Sequence, residues 1–175
     1  MDQRIERIEQ RIRDVLDFPK PGIVFKDWMP LLADPVALRD AVSLLAEPFR
    51  NESIDQVVGM EARGFLLGVP LALELSAGFV PVRKPGKLPS ATHAVDYELE
   101  YGSDTLEIHA DAVESGQRVL IVDDLLATGG TAGATVKLVE RLKGQVVACV
   151  FLIELDFLSG RANLPECRVH SVLHY

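Results

Sequence analysis

The chain has 175 residues, 48% of them hydrophobic and 25% charged, with 13 Gly and 10 Pro. These values suit one globular domain with a substantial core, not a disordered or fibrous chain. The formal net charge of −8, from 18 Lys+Arg against 26 Asp+Glu, with no basic block, argues against nucleic-acid binding. It leaves room for a small anionic ligand held by a few local groups.

Ile5, Ile8, Ile12 and Val15/Leu16 recur at helical spacing with Arg and Glu between them, which predicts an amphipathic helix. Phe18-Pro19-Lys20-Pro21-Gly22 ends it in a loop. Ile23-Val24-Phe25 is a short apolar stretch before Lys26-Asp27. Asp34 as cap and Pro35 in the first turn open a helix that runs to about Arg50. The chain then alternates. A buried strand is expected over Ile54–Gly59, a helix over Gly64–Leu75 with Pro70 inside it, and a strand over Gly78–Arg83. Lys84–Pro89 reads as a loop. Two period-2 runs, Val95 to Tyr101 and Leu106 with Ile108, flank Gly102-Ser103-Asp104 and signal a hairpin. A strand over Arg118–Val122, a helix over Thr131–Leu142 and a strand over Val146–Ile153 follow. Strand–helix alternation predicts an α/β fold with a mainly parallel sheet, the hairpin being an insertion. No repeat or linker marks a boundary, so residues 1–175 read as one domain.

Cys149 and Cys167 make neither a disulfide framework nor a CxxC site, and fit reduced thiols in a cytoplasmic protein. The charged start is unlike a secretory leader, and Val146–Ile153 is far too short to span a bilayer, so no membrane role is expected. His93, His109, His170 and His174 show no ligand spacing.

The chemistry concentrates in Val119 to Thr131. An apolar strand runs into Asp123 and Asp124, then Leu125-Leu126-Ala127-Thr128-Gly129-Gly130-Thr131 leads into a helix. Ligands of open α/β sheets bind beyond the carboxyl ends of strands. Ala127, Thr128, Gly129, Gly130 and Thr131 can turn successive N–H groups toward one point, and a helix start adds positive potential. That is a phosphate cradle, although neither GxxxxGK[ST] nor GxGxxG is present. Two carboxylates beside a phosphate require either sugar hydroxyls that donate to them or a divalent metal. A ribose 5-phosphate group meets the first requirement. An ordinary polar loop with Asp124 or Thr131 as a cap is the plain alternative. Arg63, between a strand and a helix, offers a planar fork to phosphate oxygens, or a surface salt bridge. Arg83, Lys84 and Lys87 place three cations within five residues of a Pro/Gly loop, which suits either a closing anion lid or a solvated face.

The Val122 to Thr131 segment closely resembles the phosphoribosyl-pyrophosphate motif of the type I phosphoribosyltransferases, in the wording of members that use adenine. The resemblance extends along the chain. Asp17 to Asp27 is similar to the family's base-binding segment, Gly59-Met60-Glu61-Ala62-Arg63-Gly64-Phe65 to its pyrophosphate loop, and Arg83 to Pro89 with Tyr97 to Gly102 to its catalytic loop and the strand beyond.

The resemblance implies a base-binding hood at about 1–35 and a catalytic loop and hairpin at about 84–110. It implies transfer of phosphoribosyl from phosphoribosyl pyrophosphate to adenine, Mg²⁺ accompanying the substrate, and a homodimer whose loop cations reach a neighbouring subunit. Asp123 and Asp124 would hold ribose hydroxyls, with Mg²⁺ near them. Ala127 to Thr131 would hold the 5-phosphate, and Arg63, Arg83, Lys84 and Lys87 the diphosphate. Glu100 and Tyr101 would lie near the reacting sugar. Phe25 and Leu125 would sandwich the purine, and backbone groups around Val24 and Lys26 would read its edge. Trp28-Met29 departs from the family pattern, and Thr92-His93-Ala94-Val95 maps onto no named role. Another nucleobase as acceptor, or a non-catalytic sensor of phosphoribosyl pyrophosphate or a purine, are the rival readings. The Pro21 to Asp27 segment favours adenine. The length and negative charge disfavour a regulator, which would need an added nucleic-acid domain or basic face.

Overall fold

The computed structural model of the chain describes residues 2–98, 103–164 and 166–175. They divide into two compact units, Met1–Leu44 and Leu45–Tyr175.

In the first unit, helix α1 (Gln3–Glu9) is capped by Asp2, whose carboxylate accepts the Arg4 N–H at 2.9 Å. The helix expected to reach Leu16 stops at Glu9. Arg13–Leu16 is instead strand β1, antiparallel to β2 (Val24–Asp27). The correction has a physical cause. The register sets Arg13 opposite Asp27 and Asp14 opposite Lys26, and both pairs form ion pairs, at 2.5 and 2.7 Å. Cross-strand pairing of opposite charges, with a ladder partner available eight residues on, outweighs an apolar spacing that suits either structure. In the connecting turn, Gly22 has φ of +86° and its N–H bonds the Asp17 carboxylate at 2.7 Å. Trp28 is buried, and α2 (Met29–Leu32) follows it. Asp34 caps α3 (Pro35–Ala46) as expected, its Oδ1 accepting the N–H groups of Val36 and Ala37. The helix yields to a 3₁₀ turn at Glu47–Phe49, just short of the expected end.

The second unit is built on strands β3 (Gln56–Met60), β4 (Gly78–Val82), β7 (Arg118–Leu126), β8 (Gln145–Glu154) and β9 (Val169–His174). They form one parallel sheet in the order β4-β3-β7-β8-β9. Helix α4 (Arg63–Glu74) connects β3 to β4 and α5 (Gly130–Arg141) connects β7 to β8. This is the expected α/β architecture. Val58, Val119, Ile121, Leu138, Val139, Cys149 and Phe151 belong to one buried core cluster. The inserted hairpin, β5 (Thr92–Glu98) with β6 (Ser103–His109), is tied to the end of β4 by paired backbone bonds between Arg83 and Glu107. Leu106 and Ile108 carry it into the core.

The sequence reading missed β9. Its residues mix Val and Leu with His and Ser without strict alternation, and all but Leu173 keep some exposure, so neither an apolar run nor a period of two announces it. Cys149 and Cys167 are free thiols, with Sγ atoms 3.3 Å apart.

Leu138 is fully buried in α5. Leu138→Ala should therefore lower unfolding free energy by about 2–5 kcal/mol, measured by chemical denaturation.

Candidate active site

Three loops meet the carboxyl ends of β3, β4 and β7, where a parallel sheet leaves strand termini open. The first follows β3. Gly59 and Met60 close the strand, Glu61 and Ala62 turn the chain, and Arg63 opens α4. Gly64 is required by close approach: a Cβ there would lie 2.9 Å from the Val122 carbonyl oxygen and 3.0 Å from Asp123 Oδ1. The helix start is thus pressed onto the carboxylate end of β7.

The strand itself runs further than the apolar run predicts. β7 continues to Leu126, with Asp123 paired to Phe151 and Leu125 to Ile153. Asp123 and Asp124 are therefore ladder residues and do not lie in the loop. β8 supplies the hydrogen bonds that hold them extended, which no reading of β7 alone reveals. Asp124 is only 3% exposed, and the Arg63 guanidinium meets it at 2.9 Å. Asp123 Oδ1 accepts the Asp124 N–H at 2.9 Å. Burial, and then the adjoining Asp124 charge, push the Asp123 carboxyl well above the usual carboxylate range.

After Leu126 the chain forms a small hollow of about 80 Å³, lined by Met60, Asp123, Leu125 and the run from Leu126 to Ala132, with Phe151 behind. At roughly 30 Å³ per liquid water, that is space for a few heavy atoms. Gly129, with φ of +82°, turns the chain into α5 one residue before the expected start at Thr131. Ala127, Thr128, Gly129, Gly130 and Thr131 line this hollow together with Asp123.

The third loop leaves β4. Its cations have partners within the protein. Lys87 Nζ pairs with Glu61 Oε1, Lys84 Nζ pairs with Asp104, and Arg83 Nε lies 3.4 Å from Glu61 Oε2. The Lys84 N–H also donates to Glu61 Oε2 at 2.7 Å. Each of the three cations thus already has a carboxylate counter-charge within the protein. Glu61 is the residue that sequence reasoning passed over. Burial pushes its carboxyl up, but hydrogen bonds from Lys87 and Lys84 and the nearby charges of Lys87 and Arg83 outweigh this and leave it below the ordinary value. The contribution of these contacts to stability is present at neutral pH and is lost as acid protonates Glu61. A lone acid ahead of a Pro/Gly loop more than twenty residues away gives no local signal of such a role.

Val24, Phe25 and Lys26 lie on β2 of the first unit. Val24 is exposed, and Phe25 is half-buried with its ring against Phe18, centroids 5.2 Å apart at 74°. Leu125 lies near the end of β7 and lines the cradle. Glu100 and Tyr101 lie outside the described residues. The only group of three among the described residues with metal-ligand atoms close together is Glu154, Asp156 and His174, and Glu154 there is already held by Arg161 and Ser171.

Comparison with known proteins agrees with this geometry. Residues 27–165 match the family described as a phosphoribosyl transferase domain. The chain is 58% identical over 171 residues to an adenine phosphoribosyltransferase of Methylococcus capsulatus, covering 98% of this chain and all of that protein. The crystal structure of adenine phosphoribosyltransferase from Rhodothermus marinus superposes with a TM-score of 0.95 at 57% identity, both chains being covered fully. The Saccharomyces cerevisiae enzyme, crystallised with adenine and an imino-altritol bisphosphate, gives a TM-score of 0.93 at 41% identity, with 98% of this chain and 99% of that chain covered.

The crowded carboxylates yield a paired stability and activity test. Asp123→Asn should raise the melting temperature of the substrate-free protein at pH 7 while lowering kcat/KM. The folded wild type binds the Asp123 proton more tightly than the unfolded chain does. Its ionisation therefore destabilises the fold as pH rises above about 4, and the two proteins should converge below that pH in thermal melts.

Proposed function

Because the chain belongs to the phosphoribosyltransferase family, we propose that the hollow beyond β7, with Arg63 beside it, is where it joins adenine to the ribose of phosphoribosyl pyrophosphate, giving AMP and diphosphate. The observation that carries this reading is the Asp123–Asp124 pair set against a glycine-turned cradle at a helix start. A ring nitrogen of adenine attacks the anomeric carbon, the bond from that carbon to diphosphate breaks, and the attacking nitrogen loses its proton. Little covalent help is needed from the protein. Its task is to orient the sugar and to neutralise the leaving group.

Asp123 and Asp124 accept hydrogen bonds from the ribose hydroxyls, and the N–H groups of the Ala127–Thr131 run receive the 5-phosphate. Arg63, beside the pair, exchanges part of its contact with Asp124 for diphosphate oxygens. Lys87 moves from Glu61 to the leaving group, Glu61 acting as its resting partner, with Arg83 and Lys84 in the same loop. Glu100, with Tyr101, acts electrostatically near the positive charge developing on the sugar. Phe25, on β2 of the first unit, offers an aromatic face of the kind that stacks on a purine, and the family resemblance assigns reading of the base edge to backbone groups around Val24 and Lys26.

Mg²⁺ travels with phosphoribosyl pyrophosphate. Asp123 and Asp124, an oxygen-only pair, would hold this hard cation, and its charge would offset the repulsion that raises Asp123. A homodimer is supported by Leu66, Val69 and Leu73, three exposed apolar residues on one face of α4. A cytoplasmic location rests on the two-cysteine composition.

The test is AMP formation from adenine and phosphoribosyl pyrophosphate against a panel of other bases, with and without a chelator. Adenine should be preferred, and activity should vanish with the chelator and return with Mg²⁺. Preference for guanine or orotate would overturn the acceptor. Asp124→Asn should cost about 10- to 150-fold in kcat/KM, the worth of a charge-assisted hydrogen bond. Lys87→Ala should depress turnover while the melting temperature barely moves, because its partly exposed pair contributes about 0–1 kcal/mol.

A further inference from the structure

The segment after β8 stands against the outside of the phosphate cradle. It consists of two 3₁₀ turns, Asp156–Leu158 and Gly160–Asn163. The Asn163 side-chain amide donates to the Thr128 carbonyl at 2.6 Å. The two backbones pass so closely that neither side has room for a Cβ. One at Gly129 would lie 3.2 Å from the Gly160 carbonyl carbon and 3.3 Å from Asn163 Cβ. One at Gly160 would lie 3.0 Å from Leu126 Cδ1. We propose that Asn163 is a positioning residue for phosphoribosyl pyrophosphate, and that the Arg161–Glu154 ion pair locks it in place. The proposal rests on the reading of Ala127–Thr131 as the 5-phosphate cradle.

The reasoning is one of peptide geometry. The Thr128 carbonyl and the Gly129 N–H belong to one planar trans peptide and point in opposite directions. A donor that holds the carbonyl outward aims the Gly129 N–H into the cradle, and polarises it toward an anion. Asn163 is that donor. Being exposed, it is poorly placed to act as a core residue.

Its carrier is firmly tied. Arg161 meets the buried Glu154 carboxylate with two bonds, Nε to Oε1 at 2.6 Å and Nη2 to Oε2 at 2.7 Å. The Ser171 hydroxyl donates to Oε2 at 2.5 Å from β9. The Leu155 N–H bonds the Leu126 carbonyl at 3.0 Å, so the ends of β7 and β8 are stitched just before the two segments meet again. Leu164, buried, closes the segment.

Asn163→Ala and Asn163→Asp should each raise KM for phosphoribosyl pyrophosphate about 3- to 10-fold, the span of one neutral hydrogen bond. They should leave KM for adenine unchanged, and the melting temperature within about 2 °C. Arg161→Lys, which keeps the charge but loses the fork, should show a smaller rise with the same selectivity. Thr131→Ala, within the cradle, serves as the control. If it raises KM for phosphoribosyl pyrophosphate while the Asn163 variants do not, the positioning role is wrong and the cradle stands. If none of the variants changes that KM, the cradle reading falls and the proposal with it. A loss of melting temperature and kcat at constant KM would make Asn163 merely structural and would also overturn the proposal.

Discussion

Two carboxylates in consecutive positions of a buried parallel strand repel each other and forgo water, and the rest of the site is arranged around that cost. Asp123 and Asp124 cannot be relieved by moving apart, because β8 holds them in the ladder. Relief comes from outside the strand. Arg63 meets Asp124, and the start of α4 is pressed onto the strand end through Gly64, where no side chain fits. The remaining cost falls on Asp123, whose carboxyl is pushed up by burial and then by the Asp124 charge. An anion surplus beside a helix start is poor for the protein alone, and a ligand of the proposed kind would relieve it with hydroxyl donors, a phosphate and a cation.

The loop after β4 follows the same logic in reverse. Three cations sit near one strand end, and the protein holds two of them on Glu61 through Lys87 and Arg83, and a third, Lys84, on Asp104. Glu61 stands two residues before Arg63, just past the end of β3, and Asp104 is on β6. The cations are therefore stored, and not left in water. In the proposed reaction, diphosphate oxygens would replace these carboxylates as partners of the cations. This differs from a lid whose charges are simply solvated, although both look alike as a basic Pro/Gly run.

The glycine-turned loop after β7 in turn depends on residues far along the chain. Its peptides are held from behind by the 160–163 segment and, through Arg161 and Glu154, by the end of β8. Short glycine-rich loops have few internal contacts of their own, so their precision has to be imported from rigid neighbours.

Much of this was legible in the sequence. Alternation of apolar runs with helical spacing gave the parallel α/β core, and the Asp-Asp and Gly-Gly pattern marked the hollow beyond β7, because strand-end residues adjoin one another. Asp34 as a cap and the Val95 to Ile108 hairpin were equally readable, being set within a few residues. What only the tertiary structure decided involves partners distant in sequence. Arg13–Leu16 became a strand because Val24–Asp27 lies opposite it, β7 ran on through the aspartates because β8 pairs with them, and β9 formed at an edge that needs no apolar run. Glu61 acquired its cations, and Thr128 its Asn163, across 26 and 35 residues. Local sequence carries backbone preference and apolar period. It does not carry the identity of a hydrogen-bond or ion-pair partner that folding alone brings within 3 Å.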